Sequence, residues 1–398
     1  MPALPIDTER RIIDFGLTAE DLGPRQPAGF APLAALGLPF PAAVAPAPQP
    51  LASEPDPDDP LPRADVLVVT WTVAEVEALA DVLTPGFARN NWYRYARDFA
   101  SYLPKIRNGA PARAAKRLGS YFPTQIGTKD VLCVKSELHL NQDGVATGVG
   151  TATLPVKDFF KQMIAEVKPE LIITVGTAGA TFPPDRVATV NGQACPPHEL
   201  GDVIITRGAK FRLSQEFRNE TFKSQDFRSS FMIPTSRLDA CKPLLQVHAD
   251  KLTEPDFGAP SKKFPMPALV PGFKNKPDFK IDGRDFPAFH PMLTTDFFEF
   301  GTSSNGLEQE GCGVEMGDAV LGMVVDEMPT ASRPAWLVIR NASDPQINGE
   351  LPDRNNPAVP REMRRALNMQ AHWAVWYYET YGYWTSVNSA IAVWAMTA

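Results

Sequence analysis

Cysteine, histidine and surplus basic charge are scarce in this chain, and each shortage closes off a class of function. Only four cysteines occur in 398 residues. Cys133, Cys195, Cys241 and Cys312 lie tens of residues apart, so no close pair points to a structural zinc site or a redox couple. A reduced, cytoplasmic chain is the reading that follows. The five histidines, His139, His198, His248, His290 and His372, show no ligand spacing such as HxxxH, and we expect no metal and no cofactor. Lysine and arginine total 39 against 46 acidic residues, a net charge of -7, which argues against a nucleic-acid partner because such partners demand a basic surface. Long apolar runs are missing too. The aromatic-rich tail from Trp373 to Ala398 is interrupted by Glu379, Gly382 and Asn388 and falls short of the about 18 apolar residues that suggest a membrane span. We therefore expect no membrane partner and read the tail as a buried helix or a subunit contact. The opening MPALPIDTERRIIDFG carries acids and prolines where a signal peptide needs an apolar core.

An apolar share of 44% is ample for a large core. Forty prolines are about twice the usual share, and they concentrate from Pro24 to Pro62, where small residues and the acidic run Glu54 to Asp59 accompany them. Such a stretch favours extended backbone without a core, so residues 1–63 read as a Pro-rich extension, an arm or linker. Regular architecture begins at Ala64 and continues to residue 398. Asp65 to Thr70 reads as a strand feeding a helix whose apolar positions are Val73, Val76, Leu79, Ala80 and Leu83. Strands are expected at Val131 to Val134, Val145 to Val149, Leu171 to Val175, Met292 to Thr295 and Gly311 to Met316. Helices are expected at Pro155 to Val167, Asp318 to Glu327 and Pro360 to Glu379. The GTAGAT segment after Leu171 to Val175 reads as a glycine turn. Strand and helix alternate, which indicates an α/β fold with a partly parallel sheet. From 212 to 290 the periodicity lapses, and the segment reads as a long irregular insertion.

Ala335 to Asn341 is an apolar run that ends at Ser343-Asp344-Pro345. Pro345 biases Asp344 toward extended backbone, which holds its carboxylate at the carboxyl end of a buried strand, where open α/β sheets collect ligands. A turn-capping aspartate is the other reading of the same local pattern.

Five stretches occur in an order that resembles the nucleoside phosphorylase and nucleosidase superfamily, most of all the methylthioadenosine/S-adenosylhomocysteine nucleosidases. They are VVTWTVAEVEAL (Val68 to Leu79), ATGVGTAT (Ala146 to Thr153), KPELIITVGTAGA (Lys168 to Ala180), LGDVIIT (Leu200 to Thr206), and GVEMGDAV (Gly313 to Val320) followed by VIRNASD. The resemblance implies a single three-layer α/β domain with a central mixed twisted sheet flanked by helices. It also implies a homo-oligomer acting on a small purine nucleoside or nucleotide.

Residue by residue, the resemblance implies that Glu75 deprotonates the attacking water and Asp344 protonates the departing purine, with Ser343 beside it. Opposed acid and base roles suit N-ribosidic cleavage, which passes through a sugar cation. Without the motif, Glu75 would read as a solvated carboxylate on a helix face. Glu315 and Met316 match the sugar-binding stretch, and Phe298 in TTDFFEFG matches a base-stacking position, with Phe297 second. Gly148 and Gly150 match a turn that lets backbone approach the sugar or an anion, whereas Gly176 and Gly179 shape a strand-to-helix turn. One departure stands out: the family carries a second glutamate after the methionine, and this chain has Gly317 there. Asp318 would be turned about 100 degrees away on a helix.

Phosphorylases of this type carry a Gly-Asp-Pro turn with a nearby arginine after the first strand, and this chain has Thr70 to Glu75 there instead. Water is therefore the favoured nucleophile. Arg89, Arg94 and Arg97 among aromatics, together with Lys210 and Arg212, could receive a 5′-phosphate or form solvated faces. A phosphorylase and an inactive nucleoside-binding protein remain the alternatives.

Overall fold

Short β-branched runs alternate with helices along the chain, and in the computed structural model they assemble one large mixed sheet and a separate two-stranded one. The structure describes residues 25, 36–140, 144–146, 148–184, 186–246, 276–297, 306–344 and 361–398. The strands are β1 (Ala47–Pro48), β2 (Val66–Thr70), β3 (Tyr93–Tyr95), β4 (Gly119–Ile126), β5 (Lys129–Ser136), β6 (Leu171–Ala180), β7 (Ala188–Val190), β8 (Gln193–Cys195), β9 (Val203–Thr206), β10 (Gly208–Arg212), β11 (Asp226–Arg228), β12 (Phe279–Ile281), β13 (Met292–Thr295), β14 (Gly313–Glu315) and β15 (Ala335–Asp344). The longer helices are α1 (Val73–Leu83), α2 (Pro155–Val167), α3 (Thr235–Leu245), α4 (Asp318–Glu327) and α5 (Arg361–Thr397).

The main sheet runs β1-β4-β5-β2-β6-β14-β13-β10-β11, with β15 joining β6 to β9 and β12 beside β9. Strand β6 organises it. Along one edge it pairs with β15 over nearly its whole length, from Leu171 opposite Ala335 to Gly179 opposite Asp344. Along its other edge β2 accompanies only Leu171 to Thr174, in parallel. Strand β14 then joins antiparallel at Gly179 and Ala180. Between these two partners the Val175 to Ala178 edge of β6 has no strand beside it among the described residues. Such a split between neighbouring strands opens a crevice at strand ends, where α/β folds place ligands. Helices flank the sheet: α1 and α5 pack on each other and α5 on β6 and β15, while α2 packs on α4.

Local chemistry accounts for the elements beside this crevice. Thr72 caps α1 and Glu75 closes the capping box, each bonding the other's backbone amide. Pro155 starts α2 at a position that needs no amide hydrogen. In β15 the register slips between Ala342 and Asp344, a bulge of the kind that re-aims a side chain next to a site.

Several expectations are corrected. The GTAGA segment is strand, because β6 continues to Ala180. Gly176 serves close approach there rather than a turn. The described residues of Val145 to Val149 form no strand: the Thr153 hydroxyl accepts from the amides of Val145 and Ala146, and Gly150 takes a left-handed φ of 68°. The 212–290 insertion is not irregular throughout. It contributes β11 on β10, β12 on β9, and α3 packed on α5, while residues 247–275 lie outside the described residues. The last helix extends to Thr397, and its tail is buried within the chain from Thr385 to Thr397. Among the described residues no helix is long and apolar enough to cross a membrane. The described part of the proline-rich segment lies on the sheet: β1 extends it beside β4, and Val44 accepts a bond from the Trp394 indole.

Candidate active site

Glu75 projects from the first turn of α1 and fills the vacant edge of β6. Its Oε1 accepts from the Thr177 backbone amide at 2.7 Å and from the Thr177 hydroxyl at 2.8 Å. Its Oε2 accepts from the amides of Trp71 and Thr72, at 3.1 and 2.8 Å, and from the Thr70 hydroxyl at 3.1 Å. The carboxylate is 4% exposed, so it is no solvated helix-face acid. Gly176 permits the arrangement: a Cβ there would meet Glu75 Oε1 outright, Glu75 Cδ at 2.6 Å and Arg340 Nη1 at 2.7 Å.

Arg340 completes a buried charge cluster. From the middle of β15 its guanidinium grips both oxygens of Asp318, with Nε to Oδ2 at 2.9 Å, and reaches Glu315 Oε2 at 3.3 Å. It lies over the Trp71 ring at 4.9 Å. The Asp318 and Glu315 charges raise its pKa further, against the effect of burial. One cation therefore serves two acids, with Glu75 close by. Burial and the Asp318 charge push Glu315 up to about 8, although Arg340, the Thr294 hydroxyl and the Asp318 amide favour its ionised form. Both Glu315 oxygens are occupied: Oε1 by the Thr294 hydroxyl and the Asp318 amide, Oε2 by the Gly317 amide and Arg340. Thr294 is itself held by the Ala319 amide at 2.8 Å.

Asp318 is thus not turned away as its helical position suggested. It opens α4 completely buried and forms the principal partner of Arg340. Behind this cluster His139 is held neutral, its pKa lowered to about 3 by burial and by the Arg340 charge. Asp344 ends β15 in a buried position, with the Ser343 hydroxyl donating to its Oδ1 at 2.9 Å. Its Cα pairs with Gly179, two residues beyond Thr177 on β6. Met316 is half-buried beside the cluster.

Other expected residues lie elsewhere. Gly150 is exposed, and its amide bonds Glu220 at 2.9 Å, on the rim of a cleft of about 540 Å³ that Lys157 and Lys161 also line. Gly148 precedes it in the same turn. Arg97 pairs with Glu166 at 3.4 Å, in the last turn of α2, next to the start of β2 rather than its end. Arg94 lies on β3, three strands out from β2, and Arg89 in the short helical turn before it. Arg212 pairs with Glu310 at 3.2 Å, and Lys210 precedes it on β10. Phe298 lies outside the described residues. No cluster of His, Cys, Asp and Glu suited to a metal occurs among the described residues.

The sequence reading missed Arg340, Asp318, Thr177 and Trp71. Arg340 carried a usable signal. An arginine inside an otherwise apolar strand is buried with that strand and must find acids.

No protein-family model and no curated protein matches the sequence. Among solved structures the chain is similar to 5′-methylthioadenosine/S-adenosylhomocysteine nucleosidase from Neisseria meningitidis in complex with methylthio-immucillin-A, at 14% identity and TM-score 0.40, over 83% of this chain and 98% of that one. It is similar to futalosine hydrolase of Helicobacter pylori strain 26695, at 10% identity and TM-score 0.40, over 83% and 96%. It is also similar to the Streptococcus pneumoniae MTA/SAH nucleosidase in complex with 8-aminoadenine, at 12% identity and TM-score 0.38, over 83% and 98%.

Proposed function

We propose that the protein hydrolyses the N-ribosidic bond of a purine nucleoside, releasing free base and sugar. The observation that carries this is the Glu75 carboxylate, buried and built into the split between β2 and β14, with Asp344 ending the next strand on the other edge of β6. An acid at the split and an acid at the carboxyl end of the neighbouring strand match the two proton transfers of the reaction. Water adds at C1′ and gives a proton to Glu75. The electron pair of the C1′–N9 bond leaves with the base, and Asp344 supplies the base's proton. Hydrogen bonds hold Glu75 in place before substrate arrives, and for it to take a proton one of its two threonine hydroxyl donors must turn away.

An uncharged nucleoside fits better than a nucleotide. Two of the five basic residues considered for phosphate, Arg97 and Arg212, pair with acids, and a further cation, Arg340 in the cluster, is committed to Asp318 and Glu315. The test is release of free base from adenosine, deoxyadenosine, methylthioadenosine and AMP, with and without inorganic phosphate. Release without phosphate is expected, and Glu75→Gln and Asp344→Asn should each lower kcat by at least about 100-fold. A strict phosphate requirement would replace the hydrolase with a phosphorylase. Absence of release from every substrate would favour a binding protein.

A further inference from the structure

We propose that the cleft beside the Gly150 turn binds an amino acid, a small zwitterion whose ammonium pairs with Glu220 and whose carboxylate meets Lys157 and Lys161. Glu75, Arg340 and Asp344 do not line this cleft, so the inference stands apart from the hydrolase reading. Glu220 is 2% exposed on the cleft wall. Its Oε2 accepts from the Gly150 amide at 2.9 Å, while Oε1, also buried, has no hydrogen-bond partner among the described residues. A buried carboxylate oxygen without a donor is costly, and native structures answer it from protein, water or ligand. The segment that carries Glu220 is firmly held. Asp296, directly after β13, accepts from the amides of Ser214, Gln215 and Phe217 at 2.8 to 3.1 Å, and the Glu220 amide donates to the Phe217 carbonyl at 2.9 Å. Glu220 is therefore presented with one oxygen in want of a donor.

Three lysines and three acids line the same cleft. Lys105 pairs with Asp158 at 2.8 Å. Lys157 and Lys161, one turn apart on α2, converge on a single acid, Glu327 in the last turn of α4, at 2.5 and 2.9 Å. This pairing leaves one lysine charge in excess at Glu327 and no cation at Glu220. A ligand that answers both carries one positive and one negative group, each held by charge-assisted hydrogen bonds. A polyamine would suit Glu220 but face three lysines, and a phosphate would suit Lys161 but face Glu220 and Asp158. Leu154, Phe222 and Met323 supply apolar wall, which fits an aliphatic or aromatic side chain.

The experiment is calorimetric titration of the full chain with L-leucine, L-methionine and L-phenylalanine. Their N-acetyl derivatives, which lack the ammonium, and their decarboxylated amines, which lack the carboxylate, run beside them with inorganic phosphate and spermidine. At least one of the three amino acids should bind with a Kd of about 1 mM or tighter, and loss of either charged group should weaken it at least about 10-fold. Glu220→Gln keeps an acceptor for the Gly150 amide but removes the charge, and should weaken binding at least about 10-fold. Lys161→Gln removes the excess lysine, leaves Lys157 to pair with Glu327, and should weaken binding to a similar extent. The Lys161 side chain is 50% exposed, so this variant carries the test if Glu220→Gln does not fold. The proposal is overturned if none of the three binds at about 10 mM, or if phosphate or spermidine binds more tightly than all of them. Equal binding of either truncated analogue, or unchanged binding in the folded variants, overturns it too. Base release plays no part in the readout, so failure of the hydrolase reading leaves this one standing.

Discussion

Replacing Glu315 by glutamine tests the charge balance of the cluster directly. Glu315 and Asp318 share one guanidinium, and burial with the Asp318 charge lifts the Glu315 pKa from the usual 4.5 to about 8. A folded-state pKa above the unfolded one means that the native protein binds the extra proton. The resulting stability is fully present below the unfolded value and disappears as pH rises through about 8. Each pKa unit corresponds to about 1.4 kcal/mol, so ionising Glu315 in the native state costs several kcal/mol. Glutamine removes that cost but introduces another. Both oxygen positions face donors, among them the fixed amides of Asp318 and Gly317, so the NH2 group of glutamine finds a donor in either orientation. That mismatch costs about 1–3 kcal/mol and does not vary with pH. Protonated Glu315 turns an O–H on the same donors near pH 5, so Glu315→Gln should lie close to wild type there and should gain on it between pH 5 and about 8. Urea denaturation across that range, followed by tryptophan fluorescence, reads the difference. A stability difference that stays constant with pH would refute the assigned charge balance.

At Gly176 an added methyl would meet Glu75 Cδ at 2.6 Å and Arg340 Nη1 at 2.7 Å, so Gly176→Ala should lower stability by about 1–3 kcal/mol and displace the carboxylate. Misplacing such a base by about 1 Å should reduce base release about 100-fold, measured on folded variant by initial rates. Gly322→Ala opposes two effects: alanine favours helix α4 by about 1 kcal/mol. Its Cβ would stand 2.6 Å from Phe227 Cβ, and overpacking costs about 1–3 kcal/mol, so denaturation should show net loss; a gain would mean that α4 and β11 separate easily. On the acid side, burial holds His139, His198 and His290 below the usual 6.5. Stability from these neutral rings is fully present above 6.5 and is lost as pH falls below it through their lowered folded values. His198→Phe, which keeps a ring against Phe182, should flatten that decline in equilibrium denaturation, and an identical decline would remove His198 from the account.

Elements with a clear period were legible in the sequence. The spacing of Val73, Val76, Leu79 and Leu83 gave α1, and α2 and α4 have the bounds that their apolar faces indicate. Glycine punctuation misled where glycine serves approach rather than turning. Gly176 sits in mid-strand because two charged side chains cross over it, a relation between residues 75, 176 and 340 that no local window contains. Asp318 shows the same limit. Helical geometry alone turned it away, yet the observed Gly317 backbone, with φ -159° and ψ -24°, precedes a helix start that presents Asp318 to Arg340. The occupant of the space at Gly317 was illegible for the same reason: Trp71 lies 246 positions earlier in the chain.

The structural and catalytic readings of Glu75 are complementary. A carboxylate offers about four lone-pair sites, and five protein donors already surround this one. Taking a proton from water requires one donor to withdraw. The three amides cannot, since Trp71 and Thr72 are fixed by the turn into α1 and Thr177 by strand β6. The two threonine hydroxyls can, by rotation about a single bond. The capping box commits Oε2 to two amides at once, whereas Oε1 has one amide and the Thr177 hydroxyl. On the proposed hydrolase reading Oε1 is the oxygen left for a nucleophilic water, and it lies on the stretch of β6 that no neighbouring strand covers among the described residues. The contacts that make Glu75 a helix cap thus determine which of its oxygens is left for chemistry.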